Sequence, residues 1–321
     1  MNNEDINETS ASQASLFDVP SPAQLWDKDS AKHALDDLFS ATLKYRSSST
    51  YKELMDFVRR FRFYSPYNSF LIHVQMPGAR FVAPSYRWEK VYRRAIKPNA
   101  NPIVILQPMG PVMFVFDVTD TEPVPKAKPL PPEVEDPFAV YEGCVGSEFD
   151  RSIENAKRDG IRILKHKEGS QAAGSIRENT NKNLPPLQFY IGKDKDGNPQ
   201  YALISIRYEI LYNGNLTREA AYVTIVHELA HLYCGHLGTP DRRWWPDRRG
   251  LDRTAREFEA ESVTHLVCAR LGIKSPSDAY LSGYLNQNRE IPKISLECVM
   301  KAAGLIENMG RERLKRRTGV V

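Results

Sequence analysis

The stretch of sequence that most constrains the fold lies at residues 220–231, where charged side chains follow an apolar run. Residues 220–226 are apolar almost throughout, which is typical of a helix that is buried on all sides. His227, Glu228 and His231 come directly after this run, in the same predicted helix. Because an unpaired polar group is costly to bury, we expect each of these three side chains to have a partner.

The spacing of these three residues is that of a metal site. In a helix, His227 and His231 lie one turn apart on one face, so both imidazoles can reach one zinc ion. Glu228 is one position further round, close enough to take a proton from a water that the zinc binds. Zinc lowers the pKa of such a water to about 7 and polarises a substrate carbonyl. The pattern therefore predicts two zinc ligands and a general base, the chemistry of a metallopeptidase.

A catalytic zinc site needs a third protein ligand, and two routes to one are common. A third histidine would have to follow His231 by six positions, but His236 follows it by five, so we expect His236 only to donate a hydrogen bond at the helix end. The second route is a glutamate on a following helix, and Glu257 lies 26 positions after His231. Thr254 and Glu257 also fit a capping box, in which Glu257 would only bind backbone N–H groups. We predict that Glu257 is the third ligand, because the site otherwise lacks one.

Two runs of sequence carry a resemblance to the ImmA/IrrE family of metallopeptidases. They are His227-Glu228-Leu229-Ala230-His231-Leu232-Tyr233-Cys234-Gly235-His236 and Glu257-Phe258-Glu259-Ala260-Glu261. The resemblance covers roughly residues 140–290 and implies a gluzincin-like fold, with Glu257 at the position of the family's downstream glutamate. It implies that Glu261, on the same helix face as Glu257, is a hydrogen-bonding partner of a ligand histidine. The predicted strand 201–208 would be an edge strand that pairs with an extended substrate.

The first half of the chain is locally basic, although the net charge of the whole chain is only +4. Between residues 41 and 117 there are twelve lysines and arginines against four acidic residues, and aromatic residues are interspersed among them. Cations bind a phosphate backbone and aromatic rings stack on bases, so this composition predicts binding of single-stranded DNA. The candidate DNA-binding residues are Arg87, Trp88, Lys90, Arg93, Arg94 and Lys97. The alternative is an ordinary basic face over an aromatic core.

This region is also similar to the N-terminal domain of ArdC-type antirestriction proteins. The similarity is carried by Tyr67-Asn68-Ser69-Phe70-Leu71-Ile72, by Trp88-Glu89-Lys90, and by Lys97-Pro98-Asn99-Ala100-Asn101-Pro102-Ile103-Val104-Ile105. The chain departs from the usual form where Lys97-Pro98-Asn99 replaces a Lys-Gly-Glu-like turn. The resemblance implies a domain that binds single-stranded DNA ahead of a metallopeptidase domain. It also implies a setting on a mobile element, where the protein protects incoming DNA or removes a regulator.

The domain organisation follows from changes of composition along the chain. Residues 1–22 are polar and predicted to be disordered, and residues 24–118 form the predicted single-stranded DNA-binding domain. Six prolines between 119 and 137 predict a stiff linker, which leaves 138–321 for the metallopeptidase domain. The predicted fold class is therefore α+β, with a small basic α+β N-terminal domain joined by a proline-rich linker to a gluzincin-like zinc metallopeptidase domain.

Hydrophobic periodicity and turn residues predict the main secondary structure elements. Predicted helices cover 31–45, 50–61, 217–235, 254–271 and 294–315, and predicted hairpins join 102–107 to 112–118 and 187–191 to 201–208.

The composition also bears on cellular location. No apolar run is long enough to span a membrane, and the polar, acidic start has no features of a secretory signal. The four cysteines are far apart, which is typical of reduced thiols in a cytosolic protein. The sequence therefore predicts a cytoplasmic protein with no membrane partner.

These observations predict a zinc metalloendopeptidase that hydrolyses peptide bonds in a protein or peptide substrate. Zn²⁺ is held by His227, His231 and Glu257, and Glu228 acts as the general base and then as the acid. The competing hypothesis is a DNA-binding or protein-masking antirestriction module in which zinc is structural and no proteolysis is needed. The intact Glu228 disfavours it, because a structural zinc needs only ligands. A further option is a proteolytic switch that cuts one repressor.

Overall fold

The described residues form a mixed α+β fold, in which helices pack against several small sheets. The structure, a computed structural model, describes residues 45–107, 110–127, 129–130, 143–166 and 173–317. The tail predicted at 1–22, nearly all of the helix predicted at 31–45 and the end of the predicted linker lie outside these ranges.

The helices of ten or more residues within these ranges number seven. They are α1 (Ser48–Arg60), α2 (Pro66–Gln75), α3 (Ser147–Ala156), α4 (Arg218–Tyr233), α5 (Arg253–Leu271), α6 (Pro276–Gln287) and α7 (Leu296–Arg311). A short helix, Ser85–Arg87, continues directly into a π-helical turn, Trp88–Tyr92.

The strands form sheets of two or three members. They are β1 (Val82–Ala83), β2 (Arg94–Ile96), β3 (Ile103–Gln107), β4 (Gly110–Asp117), β5 (Thr121–Pro123), β6 (Ile161–His166), β7 (Gly174–Glu178), β8 (Leu187–Lys193), β9 (Pro199–Ile204) and β10 (Tyr208–Asn213). Their orders are β1-β4-β3, β6-β10-β7, β2-β5 and β8-β9. The two predicted hairpins are confirmed as β3–β4 and β8–β9, although β9 ends at Ile204 and not at 208.

The sheet that contacts α4 has β10 at its centre. Ile210 of β10 lies opposite Ile163 of the parallel strand β6 and opposite Ile176 of the antiparallel strand β7. Its side chain is fully buried. Alternating apolar residues on one face bury that face of the sheet against the helices. Within the described residues β7 is therefore an edge strand that lies against α4.

Side-chain caps fix the starts of α4 and α5. Thr217 caps α4, as its sequence predicts. α5 is capped by Asp252, and it ends at Gly272, which has the left-handed φ of 79° that a glycine adopts without strain. The capping box predicted at Thr254 is wrong, because α5 has already begun at that residue. Glu257 thus lies beyond the first turn and is not needed as a cap.

One hydrophobic core joins α1 and α2 to the helices around the histidine pair. The Tyr51 ring of α1 lies 5.3 Å from that of Phe258 in α5, and its hydroxyl donates to Ser262 at 2.5 Å. Arg270 at the end of α5 donates to carbonyls near the end of α1 and pairs with Glu307 of α7. Residues 48–75 therefore share one core with helices of the predicted metallopeptidase domain.

None of the helices in the described residues has the length and apolarity that crossing a bilayer requires. Cys144, Cys234, Cys268 and Cys298 are all free thiols.

Candidate metal centre

Helix α4 brings two imidazoles together, with their ring planes nearly perpendicular at 79°. The Nε2 atoms of His227 and His231 lie 3.2 Å apart, with both rings partly buried. This proximity follows from the four-residue spacing alone, because residues four apart are neighbours on one helix face.

Helix α5 adds a carboxylate to the pair. One oxygen of Glu257 lies 3.8 Å from Nε2 of His227 and 3.7 Å from Nε2 of His231. The three potential ligand atoms all lie within 4.8 Å of one another. The structure thus brings together the three side chains that the sequence suggests as ligands.

This cluster fits a zinc ion by geometry and by donor type. Zinc–nitrogen bonds of about 2.0–2.1 Å in a tetrahedron put two ligand nitrogens about 3.3 Å apart. The two Nε2 atoms are at 3.2 Å, and the carboxylate oxygen is a few tenths of an ångström further out. Two imidazoles and one carboxylate are the donor set of catalytic zinc sites that keep a fourth position open.

The protonation states also suit metal binding. Burial lowers the pKa of His227 to about 4, helped by the neighbouring His231 and opposed by Glu257. The neighbouring His231 lowers the pKa of Glu257, against the opposing effect of burial. A neutral imidazole and an ionised carboxylate are the forms that bind a metal ion.

Glu228 lies beside the cluster and is held by the edge strand. Its side chain is buried, and the backbone of Ile176 in β7 favours the ionised form of its carboxylate. Burial raises the pKa of Glu228. Gly174 lets β7 approach this closely, because a Cβ there would lie 2.4 Å from the Thr224 methyl and 3.7 Å from a Glu228 oxygen. A carboxylate next to the ligands but outside their set is where a general base belongs.

The free edge of β7 faces away from β10. The N–H of Asn179 donates to Arg207, and that of Asn213 donates to Ala173, so odd-numbered residues of this segment bond to β10. The even-numbered residues Gly174, Ile176 and Glu178 therefore direct their backbone groups to the opposite edge. No other strand within the described ranges pairs with that edge.

The prediction of a single strand over residues 201–208 is wrong, although β9 does have an open edge among the described residues. β9 pairs only with β8 in a two-stranded ribbon, and Tyr208 already belongs to β10 in a different sheet. The strand beside the histidine pair is β7, which the sequence analysis missed. Its residues Gly-Ser-Ile-Arg-Glu carry a single apolar side chain, so no alternating pattern marks them.

Glu261 lies behind His227. One of its oxygens is 3.8 Å from Nδ1 of His227, which is beyond hydrogen-bonding distance, and its carboxylate accepts from the Ser277 hydroxyl. Burial raises the pKa of Glu261. Its role as partner of a ligand histidine stays a prediction.

A buried hydrogen-bonded chain behind His231 is the second feature that the sequence analysis missed. Nδ1 of His231 lies 2.9 Å from Nδ1 of His236, and Nε2 of His236 lies 2.9 Å from Glu259. Glu259 is fully buried and accepts two hydrogen bonds of 2.6 Å from Arg248 and one of 2.7 Å from the N–H of Ser295. Gly235, with φ of 83°, turns His236 back toward the helix. Glu259 needs these cationic and polar partners because an unpaired buried carboxylate is costly.

Cys234 completes a second group of potential ligand atoms with His236 and Glu259. The Glu259 oxygens already accept from Arg248, His236 and Ser295, and burial raises the pKa of the Cys234 thiol far above its usual range. This group is therefore satisfied by hydrogen bonds within the protein.

The candidate DNA-binding residues are in mixed surroundings. Trp88 is fully buried, where its Nε1–H donates to the Phe116 carbonyl at 2.9 Å and its ring packs against Phe81 and Tyr92. Its prediction as a stacking residue is wrong, because a buried ring has no face free for a base.

The cations are more accessible: Arg87, Lys90, Arg93 and Lys97 are exposed, and Arg94 is half-buried and bonded to Thr121. The exposed rings nearby are those of Phe63 and Tyr86.

Comparisons with known proteins add little to this geometry. No family model matches the chain, and no curated protein matches it. Among solved structures, the chain is similar to a crystal structure of the antirestriction protein ArdC from plasmid R388 in metal-free form. The identity is 12%, the match covers 88% of this chain and 96% of that chain, and the TM-score is 0.32.

Proposed function

We propose that this chain is a zinc-dependent metallopeptidase that cleaves an extended protein or peptide substrate. The observation that supports the proposal most is the convergence of His227, His231 and Glu257 on one point, with Glu228 beside them. Structural zinc sites are closed by four protein ligands, whereas three ligands and an adjacent base are typical of hydrolysis.

Each side chain has a defined task in this proposal. His227, His231 and Glu257 hold the ion, and zinc supplies Lewis-acid polarisation of a carbonyl and an acidic water when bound. Glu228 takes a proton from the attacking water and delivers it to the departing amine nitrogen. The backbone of Ile176 favours the ionised carboxylate, which is the form that accepts a proton.

The edge of β7 is the proposed substrate-binding strand. An extended peptide can add to an open sheet edge through main-chain hydrogen bonds. Gly174 and Glu178 direct backbone groups to that edge on either side of Ile176. A peptide bound there passes Glu228 with its backbone aligned.

Single-stranded DNA is a second proposed partner. Arg87, Lys90, Arg93 and Lys97 are exposed near the exposed ring of Tyr86, which is the combination of phosphate-binding and base-stacking groups that such ligands require. Together with the sequence resemblance, this supports a role in protecting mobile-element DNA or in cleaving a regulator. The alternative is a DNA-binding or protein-masking module with a structural zinc, in which Glu228 has no task.

The experiment that tests the proposal is digestion of a defined peptide library by the zinc-loaded full chain, analysed by mass spectrometry. We expect new termini with the wild type and none with Glu228→Gln. Glu219→Gln is the matched control, because it makes the same substitution in the first turn of the same helix, away from the cluster. The absence of wild-type cleavage, or equal cleavage by Glu228→Gln, contradicts the proposal.

A further inference from the structure

A cavity of about 780 Å³ lies beyond the ends of β7 and α4. Four segments line it: residues from 178 to 186, residues 205–208, residues 237–240, and Arg249. Its volume is within the range of cavities that bind small molecules or single side chains of a larger ligand.

Contacts along β7 connect this cavity to the candidate metal centre. Gly174 lies against Thr224 and close to Glu228, and Glu178, four positions further along β7, lines the cavity. The cavity also includes Leu237, which follows the end of α4. β7 and α4 therefore run side by side in one direction, and a peptide on the free edge of β7 reaches the cavity about two strand positions, roughly 7 Å, beyond Glu228.

The cavity lining is rich in cations. Lys182, Arg207 and Arg249 line it, against the single carboxylate of Glu178. The guanidinium of Arg207 lies over the Trp244 ring at 5.6 Å, and that of Arg249 is held by two hydrogen bonds to Asp247. These contacts orient both guanidinium groups, and Asp247 offsets the charge of Arg249, so that Lys182 and Arg207 remain against Glu178.

The phenol of Tyr208 adds a hydrogen-bond donor to this surface. It lines the cavity close to the charges of Glu178, Arg207 and Arg249. Burial raises the pKa of Tyr208 to about 12, so the phenol stays protonated. A lining of three cations and a phenol, with one carboxylate, complements a negatively charged group.

We propose that this cavity is a specificity subsite that binds an acidic side chain of the substrate, about two positions from the scissile bond. The inference rests on the proposed peptidase function, because that function places a peptide along β7. A nucleic-acid phosphate has a related charge, but a peptide is favoured because the cavity lies at the end of β7 and its lining includes none of the basic residues around Arg93.

The test measures binding to the zinc-loaded full chain carrying Glu228→Gln, so that no peptide is consumed. The probes are fluorescein-labelled octapeptides of alanine, threonine and valine in which a single glutamate is moved through every position, with a lysine series for comparison. We expect glutamate at one or two adjacent positions to tighten binding about fivefold in fluorescence anisotropy, the effect of one or two favourable exposed charge pairs.

Charge reversal in the cavity provides the decisive variant. Lys182→Glu with Arg249→Glu removes the preference for glutamate and creates one for lysine at the same positions. Lys193→Glu with Lys195→Glu is the matched control, because it changes the net charge equally on the β8–β9 ribbon, outside the cavity lining. Circular dichroism of each variant checks the fold.

Several outcomes overturn the inference. The first is a glutamate series in which binding does not depend on the position of the glutamate. The second is a preference for glutamate that the cavity variant leaves unchanged or that the control variant abolishes equally. The third is displacement of the peptides by an oligothymidylate that requires Lys182 and Arg249. A preference for glutamate without cleavage by the wild type supports the subsite and rejects the peptidase function. Cleavage without the preference rejects only the subsite.

Discussion

The Nδ1 atoms of His231 and His236 lie 2.9 Å apart, so one of them carries a hydrogen atom and donates a hydrogen bond to the other. If Nε2 of His231 is kept free for a metal ion, its Nδ1 carries the proton and Nδ1 of His236 accepts it. His236 then carries its own proton on Nε2, which donates to Glu259 at 2.9 Å. One proton arrangement thus satisfies all three side chains and leaves the ligand nitrogen available.

The first prediction concerns His236. His236→Leu removes the acceptor for the His231 proton, so we expect zinc affinity to fall about 10–100-fold, as it does when such orienting partners are lost. His236→Asn keeps an acceptor near the position of Nδ1 and retains more of the affinity. Competition with a chromophoric chelator measures the affinity, and thermal unfolding monitors the fold. Equal affinities of the two variants would show that His236 does not orient His231.

The second prediction separates two glutamates that lie two positions apart in α5. Glu257→Ala removes the half-exposed carboxylate that we propose as a ligand, so we expect zinc binding to be largely lost while the free energy of unfolding of the metal-free protein changes little. Glu259→Ala leaves Arg248 without its buried partner, and we expect it to destabilise the protein by about 3–5 kcal/mol. Glu261→Ala is expected to weaken zinc binding about 10–100-fold. Zinc titration and urea unfolding of the three variants measure these effects, and tight zinc binding by Glu257→Ala contradicts the ligand assignment.

The sequence predicts the part of the site that a single helix determines. His227 and His231 are neighbours because of helix geometry alone, so their spacing is sufficient evidence. Glu257 joins them only through the packing of α5 on α4, and its assignment depended on the need for a third ligand. Arg248 lies in an irregular segment, and no local pattern indicates that it binds Glu259.

The prediction for Trp88 failed for a different physical reason. The order of residues shows that cations and aromatic residues alternate, but it does not show which aromatic rings are exposed and which are buried. Trp88 belongs to a small core with Phe81 and Tyr92, whereas Tyr86, two positions earlier, is exposed. The β7 strand was missed because its position depends on pairing with β10 and on contact with α4, not on its own hydrophobic pattern.

The third prediction tests the contact between β7 and α4. Gly174→Ala places a methyl group 2.4 Å from the Thr224 methyl and 3.7 Å from a Glu228 oxygen, so the strand must move and the surroundings of Glu228 change. We expect activity to fall on the order of a hundredfold, as small misplacements of reacting groups do. Zinc content is expected to be unchanged. Thr224→Ser removes the clashing methyl and keeps the hydroxyl that donates to Ala220, so the double variant is expected to regain part of the activity. No rescue by that second substitution argues against the proposed contact.

The fourth prediction concerns nucleic acid. We expect the full chain to bind an oligothymidylate more tightly than duplex DNA, with an affinity that falls steeply as salt rises. Replacing Arg87, Lys90 and Arg93 by alanine reduces the slope of affinity against salt, because fewer counterions are released. Tyr86→Ala weakens binding without changing that slope, whereas Trp88→Ala destabilises the fold by about 3–5 kcal/mol. Fluorescence anisotropy at low salt that detects no binding contradicts this prediction and favours a docking surface for a protein partner.

The central claim is that Glu228 acts on water and is not a ligand, so zinc content and cleavage have to be measured on the same folded samples. We predict that Glu228→Gln retains about one zinc per chain by atomic absorption and cleaves a wild-type substrate peptide slower by at least about 10²–10⁴-fold. Loss of zinc from the folded variant, or an unchanged cleavage rate with zinc bound, would contradict the account.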